Sequence, residues 1–137
     1  MQTNPYLTFD GRCREAFEYY AKVLGGEIEG MFTHGESPMA AQTPAPWRSK
    51  VMHAQLSLRG GTVLMGSDAP PERYERPNGF SVAVHVDSAA EAQRVFDALA
   101  DGGRVEMPLQ ETFWAHRFGL LTDRFGIPWM VNYGRES

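Results

Sequence analysis

The sequence predicts an α+β fold made of two βαβββ modules, each with a curved mixed sheet, and two observations carry that prediction. The first is a repeat. PYLTFDGRCREAFEYYAKVLGG at residues 5–26 and SVAVHVDSAAEAQRVFDALADGG at 81–103 share one order of strand, helix and glycine stop. A shift of about 76 residues sets Glu15–Ala16 on Glu91–Ala92, Tyr20 on Phe96, Val23 on Leu99 and Gly26 on Gly102. The second is that each copy is followed by segments of strand character. One helix on a four-stranded sheet leaves the sheet's other face uncovered, and two such units can turn their open faces together and enclose a cleft. Binding sites favour such meeting places. The expectation is one domain over 1–137, with modules at about 3–67 and 79–134 joined by a proline-rich loop.

The elements follow in order. Residues 4–9 form a short strand. From Arg12 to Leu24, Cys13, Ala16, Phe17, Tyr20, Val23 and Leu24 recur at helical spacing and make one apolar stripe. Gly25–Gly26 stops this helix, because glycine accepts the left-handed conformation past a helix end. A strand is expected over Glu27–Thr33. Residues 34–50, HGESPMAAQTPAPWRSK, have three prolines and no period, so they form a long loop of the kind that serves as a lid or binding segment. Residues 51–59 and 62–67 read as two strands around Gly60–Gly61, a hairpin signal. DAPPERYERPNG, residues 68–79, is a second loop.

In the strand over 80–87, Phe80, Val82, Val84 and Val86 alternate with Ser81, Ala83, His85 and Asp87, the pattern of a half-buried strand. Ser88 and Glu91 have the spacing of a capping box. Ala92, Val95, Phe96 and Leu99 give the second helix its buried stripe, and Gly102–Gly103 closes it. Strands follow at 104–110, 115–122 and 127–133, with Asp123–Gly126 as the turn before the last.

Bulk properties exclude several classes. The chain is 42% hydrophobic and 22% charged, ordinary for a folded domain. A formal net charge of −4, with Lys and Arg scattered, argues against nucleic-acid binding. No apolar run reaches the length of a membrane span. The N-terminal MQTNPYLTF lacks the basic stretch and apolar core of a signal peptide, and the single Cys13 fits a reducing compartment, so a cytoplasmic protein is expected. There is no G-x-S-x-G, no G-x-x-x-x-G-K and no G-x-G-x-x-G after a strand.

EAFEYYAKVLGGE and DRFGIPWMVNY resemble the first-helix and closing words of the vicinal oxygen chelate superfamily, which holds glyoxalase I, bleomycin-resistance proteins and extradiol dioxygenases. YLTFDGRCREAFEYY, KVMHAQLSL, LMGSD and FWAHRFGLLTDRFGIPWMVNY more narrowly resemble its PhnB-like branch. The resemblance spans nearly the whole chain. It implies a glyoxalase-like fold, a small-molecule ligand in the cleft between the modules, and a homodimer. The 34–50 segment, with Met39 and Trp47, is a candidate for the arm that meets the partner or closes the cleft.

In the superfamily's metal enzymes, four equivalent strand positions hold His or Glu. Carried over one at a time, they fall on Pro5, Met65, Ser81 and Met130. None is a good ligand for a divalent metal, so neither a metal nor another cofactor is expected. The branch is also associated with a ubiquinone-pathway methyltransferase activity. A nucleotide-type cofactor needs a glycine-rich turn beside a parallel sheet, which this chain lacks, so methyl transfer is not expected.

The remaining candidates are pocket-lining residues: His53, Met65, Asp68, Ser81, His85, Trp114, His116 and Met130. His53 lies on the polar side of its strand with Val51, Gln55 and Ser57. His85 shares a face with Ser81 and Ala83. His116 follows Phe113 and Trp114, which could wall an aromatic ligand. Each has a structural alternative. Trp114, Phe113, Phe118 and Trp129 fit a core as well, and Met65 and Met130 fit a filled-in one. The four histidines, His34 included, have no metal-ligand spacing and read as separate hydrogen-bonded residues. Asp68 suits a turn more than a general base, and Cys13 suits a buried thiol. Beside a binding protein stand two alternatives: a lyase, isomerase or dioxygenase with a rearranged site, and a drug-sequestering resistance protein. An enzyme would need at least two of His53, Asp68, His85 and His116 within hydrogen-bonding reach in one cavity.

Overall fold

In a computed structural model, which describes residues 1–135, strand and helix alternate twice. The last two residues of the expected 1–137 domain lie outside the described residues. The first set is β1 (Tyr6–Phe9), α1 (Cys13–Leu24), β2 (Gly26–Thr33), β3 (Val51–Leu58) and β4 (Val63–Asp68). The second is β5 (Val82–His85), α2 (Ala89–Ala100), β6 (Arg104–Gln110), β7 (Ala115–Thr122) and β8 (Pro128–Gly134). The chain packs as two compact units, Met1–Glu75 and Arg76–Ser137. Each holds one four-stranded sheet, ordered β1-β4-β3-β2 in the first and β5-β8-β7-β6 in the second. The terminal pairs, β1 with β4 and β5 with β8, are parallel; the other pairs are antiparallel. The α+β arrangement of two βαβββ modules with mixed sheets is therefore the observed one. Among the described residues no helix is long and apolar enough to cross a membrane.

In the first module the stripe of α1 buries Ala16, Phe17, Tyr20 and Val23. They meet the side of the sheet that buries Leu7, Phe9, Ala54, Leu56 and Leu64. Phe17 meets Phe9 edge-on at 6.0 Å between ring centroids, and Tyr20 lies 6.2 Å from Phe17. Burying each such side chain is worth about 1.5–3 kcal/mol, which far exceeds the helix propensity differences along α1. Gly25 ends α1 at φ 75°, donating its N–H to the Ala21 carbonyl. In the second module Ala92, Val95, Phe96 and Leu99 of α2 are buried, as are Leu121, Trp129 and Val131 of the sheet.

Three details differ from the sequence expectation. Phe80 precedes β5 and is 49% exposed, because the strand starts only at Val82. Residues 34–50 are not featureless: they contain short 3₁₀ turns at His34–Glu36, Ala40–Gln42 and Ala45–Trp47. The first of these is fixed by a capping box between Thr33 and Glu36, the last by Pro46 near its start. Finally, the repeat is not uniform. Helices α1 and α2 start and end 76 residues apart. Yet Leu7 and Phe9 are the buried residues of β1, while in β5 Ala83 and His85 are the exposed ones. The first strands are thus out of phase by one residue relative to their helices. As strands alternate faces with period two, the slip changes which residue stands beside β4 and β8: Tyr6 is beside Met65, and Ala83 is beside Met130.

Candidate functional site

Residues paired across neighbouring strands share a face. In the first module, Tyr6 with Met65, Met65 with Gln55, and Phe32 with His53 place these side chains on the face away from α1. There the Tyr6 hydroxyl and His53 Nδ1 are 3.3 Å apart, with ring centroids at 5.8 Å. The β3 row of this open face is polar, since Gln55 and Ser57 continue from His53, while Met65, Phe32 and the Tyr6 ring give its neighbouring rows apolar surface.

Asp68 is elsewhere. It ends β4 with 4% exposure, and its carboxylate is bound by three backbone amides. Oδ1 accepts from Gly11 N (3.0 Å) and Cys13 N (2.9 Å), and Oδ2 accepts from Val51 N (2.9 Å). This carboxylate holds the start of α1 against the start of β3. Cys13 is fully buried beside it, and its thiol pKa is pushed well above the usual range, first by burial and then by the Asp68 charge. The thiol is therefore not a nucleophile at neutral pH.

In the second module, Ala83 with Met130, Met130 with Leu120, and His85 with Asn132 and Phe118 define the open face. Asn132 Nδ2 lies 3.2 Å from His85 Nδ1. Trp114, 49% exposed, meets Phe118 edge-on at 5.3 Å and Phe113 at 4.8 Å. Phe113 is 89% exposed, so this aromatic corner is not core. Trp129 is core: its indole N–H donates to Asp123 Oδ2 (2.8 Å), and Asp123 Oδ1 accepts from Phe125 N and Ile127 N (both 2.9 Å).

A recess of about 860 Å³ opens at one end of this face. Met130, Leu120 and Pro128 supply its apolar lining; Ser81, Arg76, Arg104 and Glu106 supply its polar groups. Its size falls in the range of small-molecule sites. Glu106 accepts from Arg104 Nε (2.7 Å) and from the Thr122 hydroxyl (3.2 Å). The Arg104 bond holds the Glu106 carboxyl below the usual carboxylate range, with a smaller contribution from the Arg76 charge. His116 lies apart, in a recess of about 710 Å³. Its ring is 4.8 Å from that of Tyr133, and Nδ1 is 3.4 Å from Arg135 Nη1. Arg135 in turn bonds Glu111 at 2.7 Å and holds its carboxyl low.

The structure thus gathers Ser81 and Met130 in one recess, keeps His85 on the same sheet face as Met130, and gives His116 other partners. His53, Asp68, His85 and His116 each hydrogen-bond to different residues, and no hydrogen bond joins any two of them. Tyr6, Asn132 and Arg76 were missed by sequence reasoning. The first two become visible only through cross-strand register, and Arg76 lies in a loop with no local motif.

The four positions to which the resemblance carries metal ligands have a poor donor set for a divalent ion. Pro5 precedes β1 and contributes only its carbonyl, which accepts from Met65 N at 3.1 Å. Ser81 precedes β5, and Met65 and Met130 are thioethers. Imidazole and carboxylate donors are missing from this set, so it does not fit the metal of the superfamily's enzymes. Among the described residues no three His, Cys, Asp or Glu side chains are grouped to hold a metal ion.

Comparison with known proteins agrees with the fold. The family model of the Glyoxalase/Bleomycin resistance protein/Dioxygenase superfamily matches residues 2–131. Protein YjdN of Escherichia coli (strain K12) is 39% identical over 145 aligned positions, covering 100% of this chain and 98% of that protein. The crystal structure of protein PA1353 from Pseudomonas aeruginosa is similar at 51% identity and a TM-score of 0.89, with 99% of each chain covered. The PhnB protein from Bacillus cereus, described as a candidate 3-demethylubiquinone-9 3-methyltransferase, superposes with a TM-score of 0.82 at 24% identity, covering 98% of this chain and 100% of that one.

Proposed function

From its membership of the Glyoxalase/Bleomycin resistance protein/Dioxygenase superfamily, to which this chain belongs, we propose that the protein is a PhnB-like binder of a small organic molecule that uses no divalent metal. One observation carries this reading. Met65 and Met130 occupy matched positions in the two sheets, opposite Gln55 and Leu120 in register, and Met130 borders the recess of the second module. Thioether side chains are polarizable and adapt to varied apolar ligands, which suits a binding floor more than a metal centre. The Trp114–Phe118 corner and the His85–Asn132 pair lie on the same module as an aromatic wall and a polar handle.

Methyl transfer from a nucleotide-type cofactor is not part of the proposal. Each sheet has one parallel pair at one end, and the sequence offers no glycine-rich turn there. Pairing of two chains belongs to the proposal, with Met39 of the 34–50 segment exposed for such a contact; light scattering at micromolar concentration should give a dimer, and a monomer would remove that part.

The main test combines elemental analysis with a thermal-shift screen of a metabolite library. Protein purified without chelator should hold no stoichiometric divalent metal. A ligand that raises Tm should do so equally in the presence of EDTA, since binding stabilises by mass action. One tightly held divalent ion per chain would overturn the metal-free reading.

A further inference from the structure

We infer that the recess of the second module takes an organic anion with an apolar body, its charged head held by Arg76; this rests on the small-molecule reading above. The recess holds two guanidiniums, Arg76 and Arg104, and one carboxylate, Glu106. Arg104 is committed: its Nη2 lies 2.6 Å from Glu106 Oε1, and its Nε donates to the same oxygen. Glu106 also takes the Thr122 hydroxyl. Arg76 acts on Glu106 only as a nearby charge, and among the described residues no ion pair engages it. One positive charge is therefore left over in the recess, on a chain whose formal net charge is −4.

Geometry gives that surplus charge a use. A guanidinium offers paired donors that match a carboxylate or sulfonate, and such charge-assisted bonds are about twice as strong as neutral ones. Arg76 stands at the head of a segment, Pro77 to Ser81, that forms one side of the recess, while Met130, Leu120 and Pro128 form its apolar part. Arg104, already neutralised by Glu106, would fix the polar edge without competing for the head group. An anion with an aromatic or aliphatic body meets both chemistries at once; a neutral molecule leaves Arg76 unanswered, and a cation meets net repulsion.

The test uses two fluorescent probes of nearly the same shape, anionic anilinonaphthalenesulfonate and neutral N-phenylnaphthylamine, titrated into the full chain. Wild type should bind the anion more tightly. Arg76→Gln should weaken the anion about tenfold, the factor for one charge-assisted hydrogen bond, and change the neutral probe less than about twofold. Glu106→Gln should tighten the anion, because it removes the competing carboxylate. Met130→Gln, which makes the apolar part polar, should weaken both probes. Circular dichroism checks that each variant is folded. Equal responses of the two probes to Arg76→Gln would overturn the anion assignment and leave the binding site standing. Indifference of both probes to Met130→Gln would overturn the site itself, and with it the reading on which this inference rests.

Discussion

Helix α1 begins at Cys13 behind Arg12, whose side chain makes no capping hydrogen bond, whereas α2 begins behind Ser88, whose hydroxyl accepts from Glu91 N at 3.1 Å. The first module solves the same problem from a distance. Asp68, at the far end of β4, takes the amides of Gly11 and Cys13 and also that of Val51. The reason lies in the connections. Between β2 and β3 the first module inserts residues 34–50, and Val51 is where the chain returns to the sheet. Between β6 and β7 the second module has only residues 111–114, closed locally by Thr112, whose hydroxyl accepts from Ala115 N at 3.0 Å. A long excursion needs a fixed return point, and a buried carboxylate that accepts three amides supplies one. The modules differ on their open faces too. Anchoring Ala54–Gly66 on Gly119–Val131, the polar His53 and Gln55 of the first stand where the second has Phe118 and Leu120.

The largest test of this contrast is Asp68→Ala. It leaves three amides without their acceptor, so it should cost about 3–5 kcal/mol in urea unfolding. Ser88→Ala, the corresponding change in the second module, should cost only about 1 kcal/mol. Equal losses would mean that Asp68 is no more than another cap.

A second comparison concerns the glycines under the helices. A Cβ at Gly66 would stand 2.8 Å from the Leu7 carbonyl oxygen and 3.0 Å from the Phe17 ring; at Gly119 it would stand 2.6 Å from the Phe96 ring and 3.1 Å from Leu109 Cα. Both alanine variants should lose stability, by about 1–3 kcal/mol for overpacking. Gly66→Ala should lose more, because its tightest contact is a strand carbonyl, whereas the tightest contact at Gly119 is a side-chain ring. The reverse order in paired denaturant melts would show that the second module packs the more rigidly.

The smallest effect is expected at the start of the insertion. The Glu36 carboxylate accepts from Thr33 N (3.0 Å) and the Thr33 hydroxyl (2.9 Å). The amide, and then the hydroxyl, hold its pKa below the usual value. A lowered folded-state pKa adds stability above the unfolded carboxylate range, and that stability is lost as pH falls through the folded value. Glu36→Gln should thus lower Tm slightly at neutral pH, and the gap to wild type should close as pH falls from the unfolded carboxylate range through the lowered folded value. A gap that persists in acid would assign the effect to side-chain packing.

The helices, their stripes, the Gly25 stop, the Ser88 cap and the hairpin at Gly60–Gly61 were all legible because each depends on residues within a few positions of one another; the second stop differs, since Asp101, extended and just before Gly102, caps α2. So were the eight strands, apart from their ends, and the long insertion as an insertion. The one-residue slip between β1 and β5 was not legible: a repeat of 76 fits the helices well, and nothing local reports which strand residue turns inward. The sequence also presents Asp68 as the end of a strand beside a loop, when its partners Gly11 and Cys13 are 57 and 55 positions away.

What the sequence determined by itself is therefore the α+β duplication, its family, and the missing metal-type donors at Pro5, Met65, Ser81 and Met130. The tertiary structure decided that Asp68 is a structural clasp, that Asn132 joins His85, and that Met130 and Ser81 share a recess with Arg76. The physical reason is range. Periodicity and caps act within a turn or two of chain, while cross-strand register and buried carboxylate bonds join residues whose spacing in sequence carries no signal.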